Sequence, residues 1–235
     1  MSTSFTRALR EGSEPTWSRA VGHRFVRELH TGEIPDHVMA GYLVQDHRFL
    51  DRFLALLGAA VATADTLDAR LRLARFAGEV AGDENTFFLR AFESLGVTEQ
   101  QRARIPDTPA TAGFLALFDE AAASRDYAEI LAVLLVTEWL YLDWAQAAPR
   151  PRPESFVHAE WIALHDNPAF VELVSLLRGE LDRVGPGRAD AARARFERAV
   201  QLELDFFDQA YARPLGAVGA PAASAAPDAS TGGAR

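Results

Sequence analysis

Tyr42-Leu-Val-Gln-Asp-His-Arg-Phe-Leu-Asp-Arg-Phe-Leu54 is the stretch whose reading decides the fold. At helical spacing Tyr42, Phe49, Leu50, Phe53, Leu54 and, just beyond, Leu57 form a single apolar stripe, which predicts an amphipathic helix. Asp46 lies inside that stripe. A leucine there would stabilise a core, whereas a buried carboxylate must shift its pKa or find donors. The stretch therefore raises two expectations: a helical fold, and a carboxylate with a task.

Asp36 is a plausible N-cap for this helix, which is expected over 36–64. Before it, Pro15 and Thr16 open a helix to about residue 30, stopped by Thr31-Gly-Glu-Ile-Pro35. After it, Asp65 or Thr66 starts a helix that ends near Leu95, with Gly96 as its C′ residue. Further helices are expected over 99–104, 110–123, from Asp126 to before Pro149, then over 154–165, 168–183 and 188–211. The segment 149–154, PRPRPE, reads as a stiff connector, and Gly185-Pro-Gly187 breaks the chain. Strand alternation is almost absent, the helices have wide apolar faces and the links are short. That describes one all-α domain over residues 1–213. Residues 214–235 are rich in Ala, Gly, Pro and Ser and are expected to form a disordered tail.

The chain has 235 residues, of which 49% are hydrophobic, enough for a sizeable core. Its net charge is −9 and no Lys/Arg run occurs. Nucleic acid and anionic membrane surfaces are therefore not expected as partners, since both are bound through clustered cations. The absence of cysteine excludes disulfides, thiolate metal sites and a thiol nucleophile. It fits a reducing cytosol, and with no signal-peptide core in MSTSFTRALREG a cytoplasmic location is expected. No charge-free apolar run is long enough to span a membrane.

Asp46 has counterparts. Glu84 lies inside the stripe Phe76, Val80, Phe87, Ala91 and Leu95. Glu138 lies inside Leu131, Leu134, Leu135, Tyr141 and Leu142, and Glu203 inside Phe196, Val200, Phe206, Phe207 and Ala210. Each acid taken alone has an ordinary structural explanation, with Arg48, Arg52, Arg72 and Arg75 available to neutralise it. Four together suggest a pocket built inside a helical core. A carboxylate di-metal site would pair a Glu with a His three residues on, and no histidine lies three or four residues from Glu84, Glu138 or Glu203. Glu154 and His158 have suitable spacing but no second copy, so no metal is expected. The other reading is an organic-ligand pocket. Carboxylates grip the amidine-like edge of a heterocycle or act as general acid and base. Phe49, Phe114, Trp139, Tyr141, Phe206 and Phe207 are then candidate walls, each of which also suits ordinary core packing.

The run 23–35, HRFVRELHTGEIP, followed by YLVQDHRFL at 42–50, resembles the opening signature of the TenA/thiaminase II family. Thr111-Ala-Gly-Phe114, Thr137-Glu-Trp-Leu-Tyr141, Trp161-Ile-Ala-Leu-His165 with Phe170, and 203–210, ELDFFDQA, keep that family's order and approximate spacing over residues 15–211. The resemblance implies a haem-oxygenase-like helical bundle, a homo-oligomer (dimer or tetramer), and hydrolysis of aminopyrimidine derivatives in thiamin salvage. It implies no cofactor and no metal.

By position, the resemblance assigns Asp46 to the aminopyrimidine edge and Phe49 to an aromatic wall. Tyr141 falls near the reacting carbon, and Glu203 matches a proton-shuttling glutamate. Thr137 stands where the best-studied branch has a catalytic cysteine, and Phe114 and His165 stand where that branch often has tyrosines. The chain is thus similar to the cysteine-free branch, in which an added glutamate serves the site. Glu138 is the candidate for that role, catalytic together with Glu203 and Tyr141. Asp46, Phe49, Glu84, Phe114, Thr137, His165 and Phe207 are expected to bind substrate, with Glu84 equally suited to a structural pairing. Two other readings stay open: a metal-dependent oxidase on the same fold, and a non-catalytic binder of a small molecule.

Overall fold

A computed structural model describes residues 4–212. Its helices are α1 (Phe5–Gly12), α2 (Thr16–Val21), α3 (Arg24–Thr31), α4 (Asp36–His47), α5 (Phe49–Thr63), α6 (Leu67–Glu79), α7 (Asn85–Ser94), α8 (Glu99–Arg104), α9 (Pro109–Ser124), α10 (Tyr127–Gln146), α11 (Phe156–Leu164), α12 (Pro168–Val184) and α13 (Ala189–Ala212). A π-helical turn, Val80–Glu84, joins α6 to α7, and a 3-10 turn, Gly185–Arg188, joins α12 to α13. No strand occurs among the described residues. The tail expected over 214–235 lies outside them.

Helices α8 to α13 begin and end within a few residues of expectation because local chemistry sets their ends. The Thr98 hydroxyl and the Gln101 side chain form a capping box at α8. Thr108 accepts from the Thr111 N–H, Asp126 from the Ala128 and Glu129 N–H groups, and Asn167 from the Phe170 N–H. Helix α10 is apolar all round. From Ile130 to Val136 every residue is 0% exposed, so this helix is the axis of the molecule. Helices α5, α9, α12, α13 and α2 pack around it. An acid at the middle of α10 has no route to the outer surface. Among the described residues, no helix is long and apolar enough to cross a membrane.

Three expected helices are divided, and α1 was not foreseen. The helix over 15–30 breaks at Gly22. His23 is extended there, and its Nδ1 accepts the Phe25 N–H at 3.0 Å, capping α3. The helix over 36–64 breaks at Arg48. The Arg48 guanidinium crosses to the loop before α9, donating to the Arg102 and Ile105 carbonyls and pairing with Asp107 at 2.6 Å. That tertiary tie has no local signature in the sequence. The helix from Asp65 to Leu95 carries the π-helical turn, whose extra residue the apolar periodicity does not reveal.

Candidate functional site

The end of α4, the start of α5, the π-helical turn and helices α9 to α13 enclose a cavity of about 300 Å³. Asp46 enters it from the last turn of α4, Glu84 from the π-helical turn, Glu138 from the middle of α10 and Glu203 from α13. Glu138 is 7% and Glu203 3% exposed. Asp46 and Glu84 are half-buried, their remaining exposure facing the cavity. Phe49, Phe114, Thr137, Tyr141 and His165 also border it. Nine of the ten residues that the resemblance assigns to the site thus share one space.

Phe207 is the exception. It is fully buried behind Tyr42, stacked on Phe25 at 5.3 Å and on the His23 ring at 5.7 Å, and does not border the cavity. Four residues beyond Glu203 it shares that residue's face of α13, but one turn further along, where α3 covers it. Trp139 and Phe206 are also outside. Trp139 faces Trp17 and Arg178, and Phe206 packs between Tyr42 and Phe49.

Among the described residues, no cation pairs with any of the four acids. The arginines available to neutralise them turn elsewhere: Arg48 to Asp107, Arg52 to Asp51 and Asp119, Arg72 to Glu172. Arg75 forms no ion pair with them either. No cation therefore offsets their burial. Burial raises Asp46 well above the ordinary carboxylate range, with Glu84 adding to the rise. It raises Glu203, helped by Asp46 and Glu138. It raises Glu138, helped by Glu84 and Asp46, against a smaller opposing effect from the Thr137 hydroxyl. Glu84 is raised to about 7 by burial alone. The acids push one another, so they titrate as a group. Thr137 Oγ1 is 2.9 Å from the Leu134 carbonyl and 3.2 Å from Glu138 Oε1. It has one proton. If the Leu134 carbonyl receives it, a protonated Glu138 donates to Thr137 in turn.

Tyr141 reaches the cavity with its hydroxyl 2.7 Å from that of Tyr42. Phe49 and Phe114 meet edge to face at 5.3 Å and give the site an apolar wall. Behind them the Gln45 side chain donates to the Pro106 carbonyl and accepts from the Thr108 N–H and Thr111 hydroxyl, tying the end of α4 to the start of α9.

The cavity also contains residues not foreseen. Glu79 lies at its mouth, exposed to solvent. In a 3.6-residue helix, side chains five apart point about 140° from one another, so Glu79 and Glu84 would diverge. The π-helical turn brings both to the cavity, and its detection would have been the signal for Glu79. Trp161, Phe170 and Asn167 also border the space; Trp161 and Phe170 fell within the matching motifs without being assigned to the site.

The raised acids make stability depend on pH with a definite sign. The folded chain holds these protons to higher pH than the unfolded chain, so acid burial destabilises increasingly as pH rises. His30, His47, His158 and His165, lowered chiefly by burial, act in the opposite direction below about pH 6.5. Their contribution fades over the next pH unit, and from about pH 7.5 the histidines are neutral in both states and the acids alone act. The thermal midpoint of the ligand-free protein is expected to fall by several degrees between pH 7.5 and 8.5, at about 2–4 °C per kcal/mol. Differential scanning calorimetry across this range checks it, and a rising midpoint contradicts it.

The TENA/THI-4/PQQC family model matches residues 11–213. The chain belongs to this family. Its TENA/THI-4/PQQC relatives include the aminopyrimidine aminohydrolase of Bacillus subtilis (strain 168), 23% identical over 211 residues, which cover 88% of this chain and 89% of that protein. The TenA homologue of P. horikoshii OT3 superposes with a TM-score of 0.80 at 22% identity, covering 89% of this chain and 99% of that one. A domain of unknown function with a heme oxygenase-like fold from Shewanella denitrificans OS217 gives a TM-score of 0.65 at 16% identity, covering 87% and 91%. The all-α architecture of this family member is therefore haem-oxygenase-like.

Proposed function

We propose that the protein hydrolyses an exocyclic C–N bond of an aminopyrimidine, releasing an amine and leaving hydroxymethylpyrimidine, a step of thiamin salvage. The observation that carries this reading is the convergence of Asp46, Glu84, Glu138 and Glu203 on one aromatic-walled cavity without a cation partner. Such a space disfavours anions and neutral acceptors. It favours a flat ligand rich in N–H groups, above all one that can take up a proton. Asp46 accepts hydrogen bonds from the amino edge of the ring, which lies against Phe49 and Phe114. Glu203 and Glu138 divide the proton work. The ionised one takes a proton from water as its oxygen attacks the methylene carbon, and the protonated one supplies a proton to the departing nitrogen. The hydrolase named among the relatives supports the same chemistry. The resemblance further supports a homo-oligomer acting in the cytoplasm without a cofactor.

The test is a panel of aminomethylpyrimidine, formylaminomethylpyrimidine and thiamin, with binding followed by thermal shift and product by chromatography. Hydroxymethylpyrimidine is expected from at least one aminopyrimidine. Binding without product would make the protein a binder, and neither binding nor product would sink the reading.

A further inference from the structure

His165 ends α11 among aromatic rings, with Trp161, Tyr141 and Phe170 at 4.6, 4.9 and 5.1 Å. Its Nδ1 is 2.8 Å from the Trp161 carbonyl. A carbonyl only accepts, so Nδ1 carries the proton and Nε2 presents a lone pair. Burial holds the imidazole down to about 4, so this neutral tautomer persists at neutral pH. Among the described residues nothing donates to Nε2, yet it is not sealed off, and His165 borders the cavity. Its polar neighbour Asn167 is fully engaged. The Asn167 amide donates to the Ala163 and Leu164 carbonyls, and its Oδ1 accepts the Phe170 N–H. Tyr141 is engaged with Tyr42. Nε2 is thus a fixed acceptor without a partner, joined to none of the four acids by a hydrogen bond or ion pair.

We propose that His165 Nε2 reads the substituent that hydrolysis removes, selecting one that carries an N–H, such as a primary amine or secondary amide, over a quaternary nitrogen. The inference rests on the aminopyrimidine reading, in which the ring edge is held at Asp46 and the substituent points away from it. An N–H directed at Nε2 gains a hydrogen bond, and a nitrogen bearing only carbon leaves the lone pair unsatisfied. His165 is in this account a specificity-determining residue that takes no part in proton transfer.

The test compares 4-amino-5-aminomethyl-2-methylpyrimidine with its trimethylammoniomethyl counterpart. Both are cations near neutral pH, so they differ in N–H and in bulk. Titration calorimetry gives the affinity of each for the wild type, His165→Phe and His165→Gln. The wild type is expected to prefer the amino compound by about 10- to 100-fold. His165→Phe is expected to lose most of that preference. His165→Gln, whose carbonyl also accepts, is expected to keep most of it, which separates the hydrogen bond from bulk. An unchanged preference in His165→Phe overturns the proposal. So does a wild type that binds both compounds equally, whether or not the variants fold. Preferential binding without product retires the hydrolytic reading and leaves the selection by His165 standing. Turnover with an unaltered preference in His165→Phe does the reverse.

Discussion

Glu203→Gln is expected to lower kcat on any accepted aminopyrimidine by about 10²- to 10⁴-fold, the range usual for a general acid–base group. The side chain is 3% exposed and forms no ion pair, so the substitution keeps shape and volume while abolishing proton transfer. It also removes a charge that burial, Asp46 and Glu138 all disfavour. The variant should therefore fold as well as the wild type and melt no lower at pH 8. Steady-state kinetics and calorimetry on the same preparation separate the two effects. Unaltered kcat would remove Glu203 from the mechanism. A collapse of the fold would show that the carboxylate serves the structure instead.

The second large effect is expected at Asp46. Asp46→Asn replaces an acceptor-only carboxylate by an amide that presents one acceptor and two donors. A charge-assisted hydrogen bond to the amino edge is lost and a donor faces a donor-rich ligand. Affinity should fall by about 10- to 100-fold or more. Stability should move the other way. Asp46 is raised in the folded state, so its ionisation destabilises the ligand-free protein as pH rises, and the substitution removes that cost. Asp46→Asn is thus expected to melt several degrees above the wild type at pH 8, with the difference closing toward pH 4. A protein weakened in both binding and stability would mean that Asp46 makes structural contacts beyond this account.

A carboxylate at a core position, costly to bury, is what the interrupted stripe around Asp46 conveyed. Patterning revealed the acids because helices expose their period, and an acid at a core position stands out against Leu131, Leu134 and Leu135, or Phe196 and Val200. The ends of α8, α10 and α12 fell close to expectation because their caps, Thr98, Asp126 and Asn167, act within three residues of themselves. The breaks did not. Arg48 interrupts its helix to reach Arg102, Ile105 and Asp107, more than 50 residues away, and no local pattern encodes that. The π-helical turn shifts the helical phase by one residue and so brings Glu79, which the apolar periodicity does not single out, to the cavity mouth. Phe207 failed for the converse reason. It shares Glu203's face of α13, but a face does not say at which level the cavity ends. His165 was legible as a position and not as a chemistry, since its tautomer depends on the Trp161 carbonyl one turn earlier.

The central claim is that acids meeting in one apolar cavity direct water onto a carbon–nitrogen bond. Turnover of aminomethylpyrimidine in ¹⁸O-labelled water, read by mass spectrometry together with released ammonia, tests it most directly. The account predicts one labelled oxygen in each hydroxymethylpyrimidine formed and one ammonia per product. Product without the label, or a bound ring that never loses its amine, would contradict it.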